Sequence, residues 1–137
     1  MDKKFDVVIV GTGAAGLYAA LNFPESVNIL LVSKRELQLS NSSLAQGGVA
    51  CVLDTVHDSY KLHITDTLIA GKYKNTLSAV EKLVTEGPSD VLKIKDLGVD
   101  FDLNEDGTMC KTLEAGHSRN RIVHHKDSTG KAIVDGL

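Results

Sequence analysis

The amino-acid sequence predicts an α/β fold in which parallel strands are joined by helices. An apolar run at 5–10, which predicts a buried parallel strand, is followed by a helical pattern at 14–22 and by a second apolar run at 27–32. Strand, helix and strand with short connections are typical of a βαβ unit. Three glycines in G-x-G-x-x-G spacing lie at 11–16, between the first strand and the helix. This context predicts a Rossmann-like, dinucleotide-binding sheet.

Each of the three glycines has a predicted task. Gly11 permits the tight turn from strand to helix, Gly13 lets a phosphate approach the backbone, and Gly16 lets the helix pack closely on the strand. The free N–H groups and the positive dipole end of a helix that begins near Ala14 favour an anionic diphosphate. The alternative is an ordinary strand-to-helix turn that binds nothing.

The middle of the chain predicts a polar loop and three helices. Residues 33–43 are polar and turn-rich, without the apolar periodicity of a helix or strand. Segment 58–70 is expected to form a helix that ends at Gly71 and carries four apolar residues on one side: Leu62, Ile64, Leu68 and Ile69. Segment 76–97 has helical periodicity, and the Gly-Pro pair within 87–90 predicts two consecutive helices there.

The last forty residues predict a short β-hairpin, a strand and a helix. Segments 98–102 and 108–113 flank a turn in which Gly107 is expected to have a positive φ. Residues 122–123 are a further short strand candidate, and 128–130 begin a helix. Because no helix stop signal precedes Leu137, we expect residues 1–137 to be the N-terminal part of a longer domain.

Composition narrows the class of protein. A chain of 137 residues with 42% hydrophobic and 24% charged residues is expected to be one soluble domain. No apolar window reaches the length of a membrane-spanning helix. No secretory leader is recognisable, so we expect no membrane partner and a cytoplasmic location. The 15 basic and 18 acidic side chains give no positive excess, which disfavours nucleic acid as a partner.

The cysteines and histidines indicate neither a disulfide framework nor a metal centre. Cys51 and Cys110 are the only two cysteines and lie far apart in sequence, which fits a reducing compartment. Cys110, His117, His124 and His125 match no common zinc spacing. No metal is therefore expected.

The end of the second strand helps to distinguish between dinucleotides. NAD-binding units usually have an acidic residue there, which accepts hydrogen bonds from the ribose hydroxyls. This chain instead has Ser33 and Lys34. Ser33 could contact a ribose, and Lys34 suits a phosphate or an adenine-side contact. NAD is disfavoured, whereas NADP remains open because of Lys34 and Arg35.

Several motifs together resemble the fumarate reductase and succinate dehydrogenase flavoprotein superfamily. They occur in the family's order along almost the whole chain, at 11–17, 33–34, 41–50, 58–63 and 66–71. Three further segments resemble the branch of that superfamily that oxidises L-aspartate, namely 114–118, 121–124 and 127–131. The fold implied by this resemblance is a Rossmann-like FAD-binding domain with a short β-hairpin insertion.

The resemblance implies FAD as the cofactor. It places the contacts in the glycine motif, after the second strand and in the following loop, at Gly11, Thr12, Gly13, Ala14, Ala15, Gly16, Ser33, Lys34, Asn41, Ser42, Ser43, Leu44, Ala45, Gln46, Gly47 and Gly48. From the residues alone, loop 41–48 could equally be a solvated surface loop. Asn41 stands where members with covalent flavin have a histidine. An amide cannot replace that nucleophile, so we expect non-covalent FAD.

The resemblance also implies a reaction and its partners. L-Aspartate would be oxidised to iminoaspartate with oxygen or fumarate as electron acceptor, in the first step of NAD biosynthesis, which suggests the next enzyme of quinolinate synthesis as a partner. Glu114 would orient the substrate through the substrate's ammonium group. His117 and Ser118 could line the same pocket or close a turn. Arg119 and Arg121 could hold a carboxylate or be exposed arginines that contribute little.

Two other classes of function remain open, and the chain by itself is expected to be inactive. The superfamily's capping domain, C-terminal helical domain and carboxylate-binding residues are not found in these 137 residues. One alternative is a fumarate reductase or succinate dehydrogenase flavoprotein. Another is a non-catalytic nucleotide-binding module.

Overall fold

The computed structural model describes residues 3–36 and 39–137, so residues 37 and 38 of the predicted polar loop lie outside it. Within these ranges the elements follow in the order β1 (Val7–Val10), α1 (Ala14–Leu21), β2 (Ile29–Val32), β3 (Val49–Ala50), α2 (Tyr60–Ala70), α3 (Leu77–Asp96), β4 (Lys111–Thr112), β5 (Ile122–Val123) and α4 (Thr129–Gly136). The predicted α/β fold is confirmed. No helix in these ranges is both long and apolar enough to cross a bilayer.

The predicted βαβ unit is present. Strands β1 and β2 pair in parallel, from Val7 opposite Ile29 to Val10 opposite Val32, and α1 connects them. The expectation that the first strand is buried was wrong, because Val8 is 57% and Val10 84% exposed. Helix α1 covers the face that carries Ile9, where the α-carbon of Gly16 packs. Side chains alternate between faces along a strand, so Val8 and Val10 lie on the other face, which no described residue buries.

The second sheet is antiparallel, with β5 between β3 and β4. The predicted turn is present, and Gly107 has a φ of +81°. However, the hairpin is reduced to one antiparallel bridge between Leu103 and Met109, while β4 pairs with β5. The strand-like segment before the turn lies against the residues that follow β5, since the Asp102 N–H donates to the His124 carbonyl at 2.9 Å. Residues 122–123 are confirmed as a strand.

Helix α3 corrects the prediction of two helices, because it continues through Pro88. Val80, Val84, Pro88 and Val91 are all buried and share one face of the helix. Continuous burial along this face outweighs the hydrogen bond that proline cannot make. The core beside it contains Cys51, Val91, Val99, Phe101, Met109 and Val123. Helix α4 begins where the sequence predicts.

Helix α2 ends at the predicted Gly71 cap but buries a different face from the one expected. Its one fully buried residue is His63, whereas Ile69 is 55% exposed. The Ser59 hydroxyl caps the helix by accepting from the Leu62 N–H at 3.2 Å. The apolar residues of this helix therefore do not define its inner side, and polar groups lie there instead.

Candidate cofactor and substrate sites

A cavity of about 550 Å³ lies at the carboxyl ends of β1 and β2. Most of its lining comes from the glycine motif, the end of β2 and the following loop: Gly11, Thr12, Gly13, Ser33, Lys34, Arg35, Glu36, Leu39, Ser40, Asn41 and Ser42. Ligands of α/β proteins bind at this end of the strands. Seven of the predicted cofactor residues therefore surround one space.

The glycine motif has the predicted backbone geometry. Gly11 has a φ of +112°, a conformation that L-residues rarely adopt. Its N–H donates to the Val32 carbonyl at 2.8 Å, which fixes the turn to β2. A Cβ on Gly16 would lie 2.0 Å from the Gly11 carbonyl oxygen, so only glycine allows α1 to start so close to β1. The predicted roles of Gly11 and Gly16 are confirmed by this packing.

The start of α1 offers hydrogen-bond donors beside this cavity. The first N–H groups of a helix have no partner inside the helix. The Ala14 N–H donates to the Ser42 hydroxyl at 3.1 Å, which ties the loop to the helix. The buried Thr12 hydroxyl has no hydrogen-bond partner among the described residues. A buried hydroxyl without a partner is costly, so its place beside the cavity fits a polar ligand.

The remaining predicted cofactor residues are distributed differently. Ala14, Ala15 and Gly48 line a second cavity of about 570 Å³, which also reaches the buried His63. Gly16 is enclosed by helix packing, and five loop residues lie outside both cavities: Ser43, Leu44, Ala45, Gln46 and Gly47. The hydroxyl of Ser33, a residue that lines the first cavity, also has a partner within the protein. It donates to the Arg35 carbonyl at 2.5 Å and thus closes its own turn.

The loop that follows β2 rests on the start of α4. The Gly130 N–H donates to the Ala45 carbonyl at 3.0 Å. A Cβ on Gly130 would lie 1.9 Å from the Ser42 carbonyl oxygen. Gly48 is equally enclosed, since a Cβ there would lie 2.4 Å from the Ile122 side chain. Contacts far apart in sequence therefore fix the loop's position.

Glu114, the predicted substrate-orienting residue, lies on the exposed turn after β4. Its carbonyl accepts from the His117 N–H at 3.2 Å, and Gly116 within the turn has a φ of +86°. Its side chain lines neither of the two cavities described above. His117 therefore closes a turn, which was one of its two expected roles.

Arg121 corrects the expectation of an exposed arginine, since its side chain is only 1% exposed. Its Nε and Nη2 donate to the two carboxylate oxygens of Asp58, each at 2.8 Å. Its Nη1 donates to Asp66 Oδ2 at 2.5 Å and lies 3.2 Å from His117 Nδ1. The same oxygen of Asp66 accepts from the N–H and the hydroxyl of Ser118, each at 2.8 Å. These five residues are called the Arg121 network below.

The ionisation of the Arg121 network follows from its contacts. Desolvation acts to raise the pKa of Asp58 and of Asp66, but hydrogen bonds from Arg121 and from nearby backbone N–H groups outweigh it. The net effect is a lowered pKa for both carboxyls. The hydrogen bonds to Asp58 are the main reason that the pKa of Arg121 is raised. Burial is the main reason that the pKa of His63 is lowered. Arg121, Asp58 and Asp66 are therefore charged near neutral pH.

The sequence did not predict that Asp58 and Asp66 would pair with Arg121. A signal was present, because a predicted helix beginning near an aspartate at 58 carries a histidine at 63 and another aspartate at 66. Arg121 also directly precedes two apolar strand residues, which favours burial beside them. The pairing joins positions 63 and 55 apart in sequence, which no local pattern specifies.

Taken together, the βαβ unit, the glycine turn and the cavity beside it define a dinucleotide-binding protein. The glycine turn, the unpartnered Thr12 hydroxyl and Lys34 at the rim fit a diphosphate-containing cofactor. The sequence profile of the FAD binding domain family matches residues 6–137. The chain belongs to this family, and its cofactor is FAD.

Relatives with curated names give a finer comparison. L-Aspartate oxidase of Clostridium perfringens is 47% identical over 100% of this chain, which covers 30% of that protein. L-Aspartate oxidase of Acinetobacter baylyi is 47% identical over 97% of this chain and 24% of that protein. The chain thus spans less than a third of the length of these relatives. The resemblance to this branch is confirmed.

Two solved structures are similar in fold. Sdh1 of Mycobacterium smegmatis has a TM-score of 0.90 at 31% identity, covering 96% of this chain and 22% of that one. Quinol fumarate reductase FrdA of E. coli, in a mutant form, has a TM-score of 0.90 at 28% identity. It covers 96% of this chain and 23% of that one. The superfamily predicted from the motifs is therefore the right one.

Proposed function

We propose that this chain is the FAD-binding portion of an enzyme that oxidises L-aspartate to iminoaspartate, the first step of NAD biosynthesis. The observation that carries the proposal is the cavity between the glycine turn and the loop after β2. Its unpartnered Thr12 hydroxyl and the N-terminal end of helix α1 match a diphosphate. The 47% identity to L-aspartate oxidases over the whole chain supports the choice of substrate.

In this proposal each end of the cavity contacts a different part of the cofactor. Thr12 and Gly13 bind the diphosphate, and Lys34 lies at the rim for a phosphate or adenine-side contact. Asn41 and Ser42 close the cavity from the loop side, and Ala14, Ala15 and Gly48 extend the contact surface into the second cavity. The cofactor is held without a covalent bond, because an asparagine amide is no nucleophile.

The chemistry divides between the cofactor and the protein. When bound, FAD would supply the oxidant that accepts the hydride of the substrate α-carbon as the amine gives up a proton, and oxygen or fumarate would take the electrons onward to give peroxide or succinate. Glu114 orients the substrate by accepting a charge-assisted hydrogen bond from the ammonium group. Such a contact contributes about 1.5–3 kcal/mol, enough to separate an amino diacid from succinate.

The second candidate is a fumarate reductase or succinate dehydrogenase flavoprotein. The TM-score of 0.90 to quinol fumarate reductase FrdA favours it. Glu114 on an exposed turn argues against succinate as the preferred electron donor, because its carboxylate can accept a hydrogen bond from the ammonium group that L-aspartate has and succinate lacks. Glu114 is therefore a residue of this chain at which substitution tests the two candidates against each other.

The proposal extends to partners and location. The supply of iminoaspartate suggests that the next enzyme of quinolinate synthesis is a partner, because an imine hydrolyses readily in water. Cys51 and Cys110 are both free, which supports the reducing environment of the cytoplasm.

The cofactor is tested first on the chain itself. An absorption spectrum between about 350 and 500 nm after incubation with FAD and desalting should show the flavin double band. After acid precipitation, the yellow colour should move to the supernatant. A pellet that stays yellow contradicts non-covalent binding, and a chain that never retains flavin contradicts the assigned cavity.

The substrate is tested on the complete protein that carries this chain. Under anaerobic conditions L-aspartate should bleach the flavin, whereas succinate should do so far more slowly. Glu114→Gln should weaken reduction by aspartate roughly tenfold or more, the size expected for a charge-assisted hydrogen bond. The second candidate predicts the opposite preference. Flavin that neither substrate reduces would indicate a non-catalytic nucleotide-binding module.

A further inference from the structure

We infer that Asp66, held by Arg121, is a positioning residue for Glu114 and thereby sets the preference for an amino diacid. This inference rests on the proposed function. Glu114 lies on an exposed turn, and an exposed turn does not by itself fix the direction of a carboxylate. The Arg121 network supplies the missing constraint from the buried side.

Arg121 fixes Asp66 in place. Two of its nitrogens bind Asp58 at 2.8 Å in a bidentate pair, which sets the plane of the guanidinium. The third, Nη1, then points at Asp66 Oδ2 at 2.5 Å. Arg121 is 1% exposed and the Asp66 side chain 11% exposed, so water competes little for this contact. The carboxylate of Asp66 therefore has one well-defined direction.

Asp66 in turn holds the end of the turn that carries Glu114. Its Oδ2 accepts from both the N–H and the hydroxyl of Ser118 at 2.8 Å. The neighbouring His117 donates its N–H to the Glu114 carbonyl at 3.2 Å, and its ring lies 3.2 Å from Arg121 Nη1. Asp66 of helix α2 thus binds Ser118, and Arg121, the residue before β5, contacts the neighbouring His117. Both contacts lie at one end of the turn that carries Glu114.

The consequence concerns specificity more than affinity for the cofactor. A misplacement of about 1 Å in a charged contact can cost a hundredfold in rate. Loss of the hydrogen bonds between Ser118 and Asp66 should leave the cofactor cavity unchanged, since no residue that lines this cavity belongs to the Arg121 network. Recognition of the ammonium group should suffer, and recognition of a plain dicarboxylate should not.

Asp66→Asn in the complete, FAD-loaded protein tests the inference. The amide keeps the size of the side chain but places an N–H₂ group where three donors now converge, namely the N–H and hydroxyl of Ser118 and Nη1 of Arg121. We expect the KM for L-aspartate to rise about tenfold, with little change in fumarate reduction or FAD affinity. Ser118→Ala, which removes one donor and keeps the ion pairs, should raise the same KM about threefold.

The control is Asp102→Asn. Asp102 also accepts a backbone N–H across loops, from Lys126 at 2.7 Å, but it lies away from the Glu114 turn. This variant should leave the KM for L-aspartate within about twofold of the parent. Equal effects of Asp66→Asn and Asp102→Asn, or parallel losses with aspartate and fumarate, would overturn the inference in favour of general destabilisation.

A double-mutant cycle separates this inference from the proposed function. If Asp66 acts through Glu114, then Asp66→Asn should change the KM for aspartate less than about twofold in a Glu114→Gln background. A full tenfold effect in that background overturns the positioning role. If Glu114→Gln alone has no effect on aspartate, the proposed substrate role of Glu114 fails instead, whatever Asp66 does.

Discussion

The glycine turn and the Arg121 network are both polar sites, yet they are built in opposite ways. The glycine turn leaves the Thr12 hydroxyl without a partner among the described residues, beside a cavity open to solvent. In the Arg121 network the side chains of Arg121, Asp58 and Asp66 are paired with one another and nearly excluded from water. The glycine turn is suited to a charged ligand. The Arg121 network contains charges of both signs and holds the neighbouring turn in position.

Because the two regions are built differently, substitutions should change stability in different ways in each of them. At the glycine turn the absence of a side chain creates the site, so adding a methyl group is harmful while removing a hydroxyl matters less. In the Arg121 network the charges depend on one another, and removing a single partner leaves the others buried and unpaired. Substitutions should therefore cost most stability in the network.

Arg121→Met should have the largest effect on folding. It leaves two carboxylates without their shared cation, which costs about 3–5 kcal/mol for a buried pair. Urea denaturation at neutral pH measures the free energy of unfolding. Arg119→Met is the matched control, since Arg119 is exposed and, among the residues that the structure describes, donates to the neighbouring Ser118 carbonyl alone. A loss below about 1 kcal/mol for Arg121→Met would show that water reaches the network.

Acid should weaken the same contacts reversibly. The pKa of Asp58 and of Asp66 is lowered from 3.8 in the folded chain, so their contribution is present above about pH 4 and is lost as pH falls further. The lowered pKa of His63 adds an earlier loss that begins below pH 6.5, since only the unfolded chain takes up that proton. Unfolding free energies measured from pH 7 to pH 3 should fall in these two stages.

The arginine substitution sharpens this pH test. Without Arg121, the largest of the contributions that lower the pKa of Asp58 and of Asp66 is lost, so both pKa values should rise toward the unfolded value. The folded and unfolded chains then differ less in proton uptake, so the stability of the Arg121→Met variant should fall less below about pH 4 than that of the parent. An unchanged acid slope in this variant would show that the loss comes from other carboxyls.

Gly16→Ala should have the next largest effect, at the glycine turn. A Cβ at this position would lie 2.0 Å from the Gly11 carbonyl oxygen, so α1 must move away from β1. Overpacking of this kind costs about 1–3 kcal/mol, and it should also weaken FAD binding because the helix N–H groups move. Gly87→Ala is the control, because no atom of the described residues that could clash lies within 4 Å of a Cβ added there, and alanine favours the helix. If FAD titration shows an unchanged affinity in Gly16→Ala, then the position of the glycine turn does not determine how tightly FAD binds.

These two regions also differ in how far the sequence could predict them. The glycine turn was predicted down to the roles of Gly11 and Gly16, because backbone geometry at a tight turn is specified by adjacent residues. The Arg121 network was not, because its pairing depends on how α2 meets the residue before β5. Pro88 shows the same limit, since a buried helix face formed by distant residues outweighs a local helix-breaking signal.

Ser42→Ala should have the smallest effect of the series. It removes the hydroxyl that accepts the Ala14 N–H at 3.1 Å, a hydrogen bond worth about 0.5–1.5 kcal/mol. Water from the adjacent cavity can replace the lost acceptor, so we expect the lower end of that range. Ser89→Ala, which removes an exposed hydroxyl that donates to the Glu86 carbonyl within α3, should be neutral or slightly stabilising. A loss above about 2 kcal/mol for Ser42→Ala would mean that this hydroxyl is shielded from the solvent in the cavity, and that the start of α1 resembles the Arg121 network more than an open anion site.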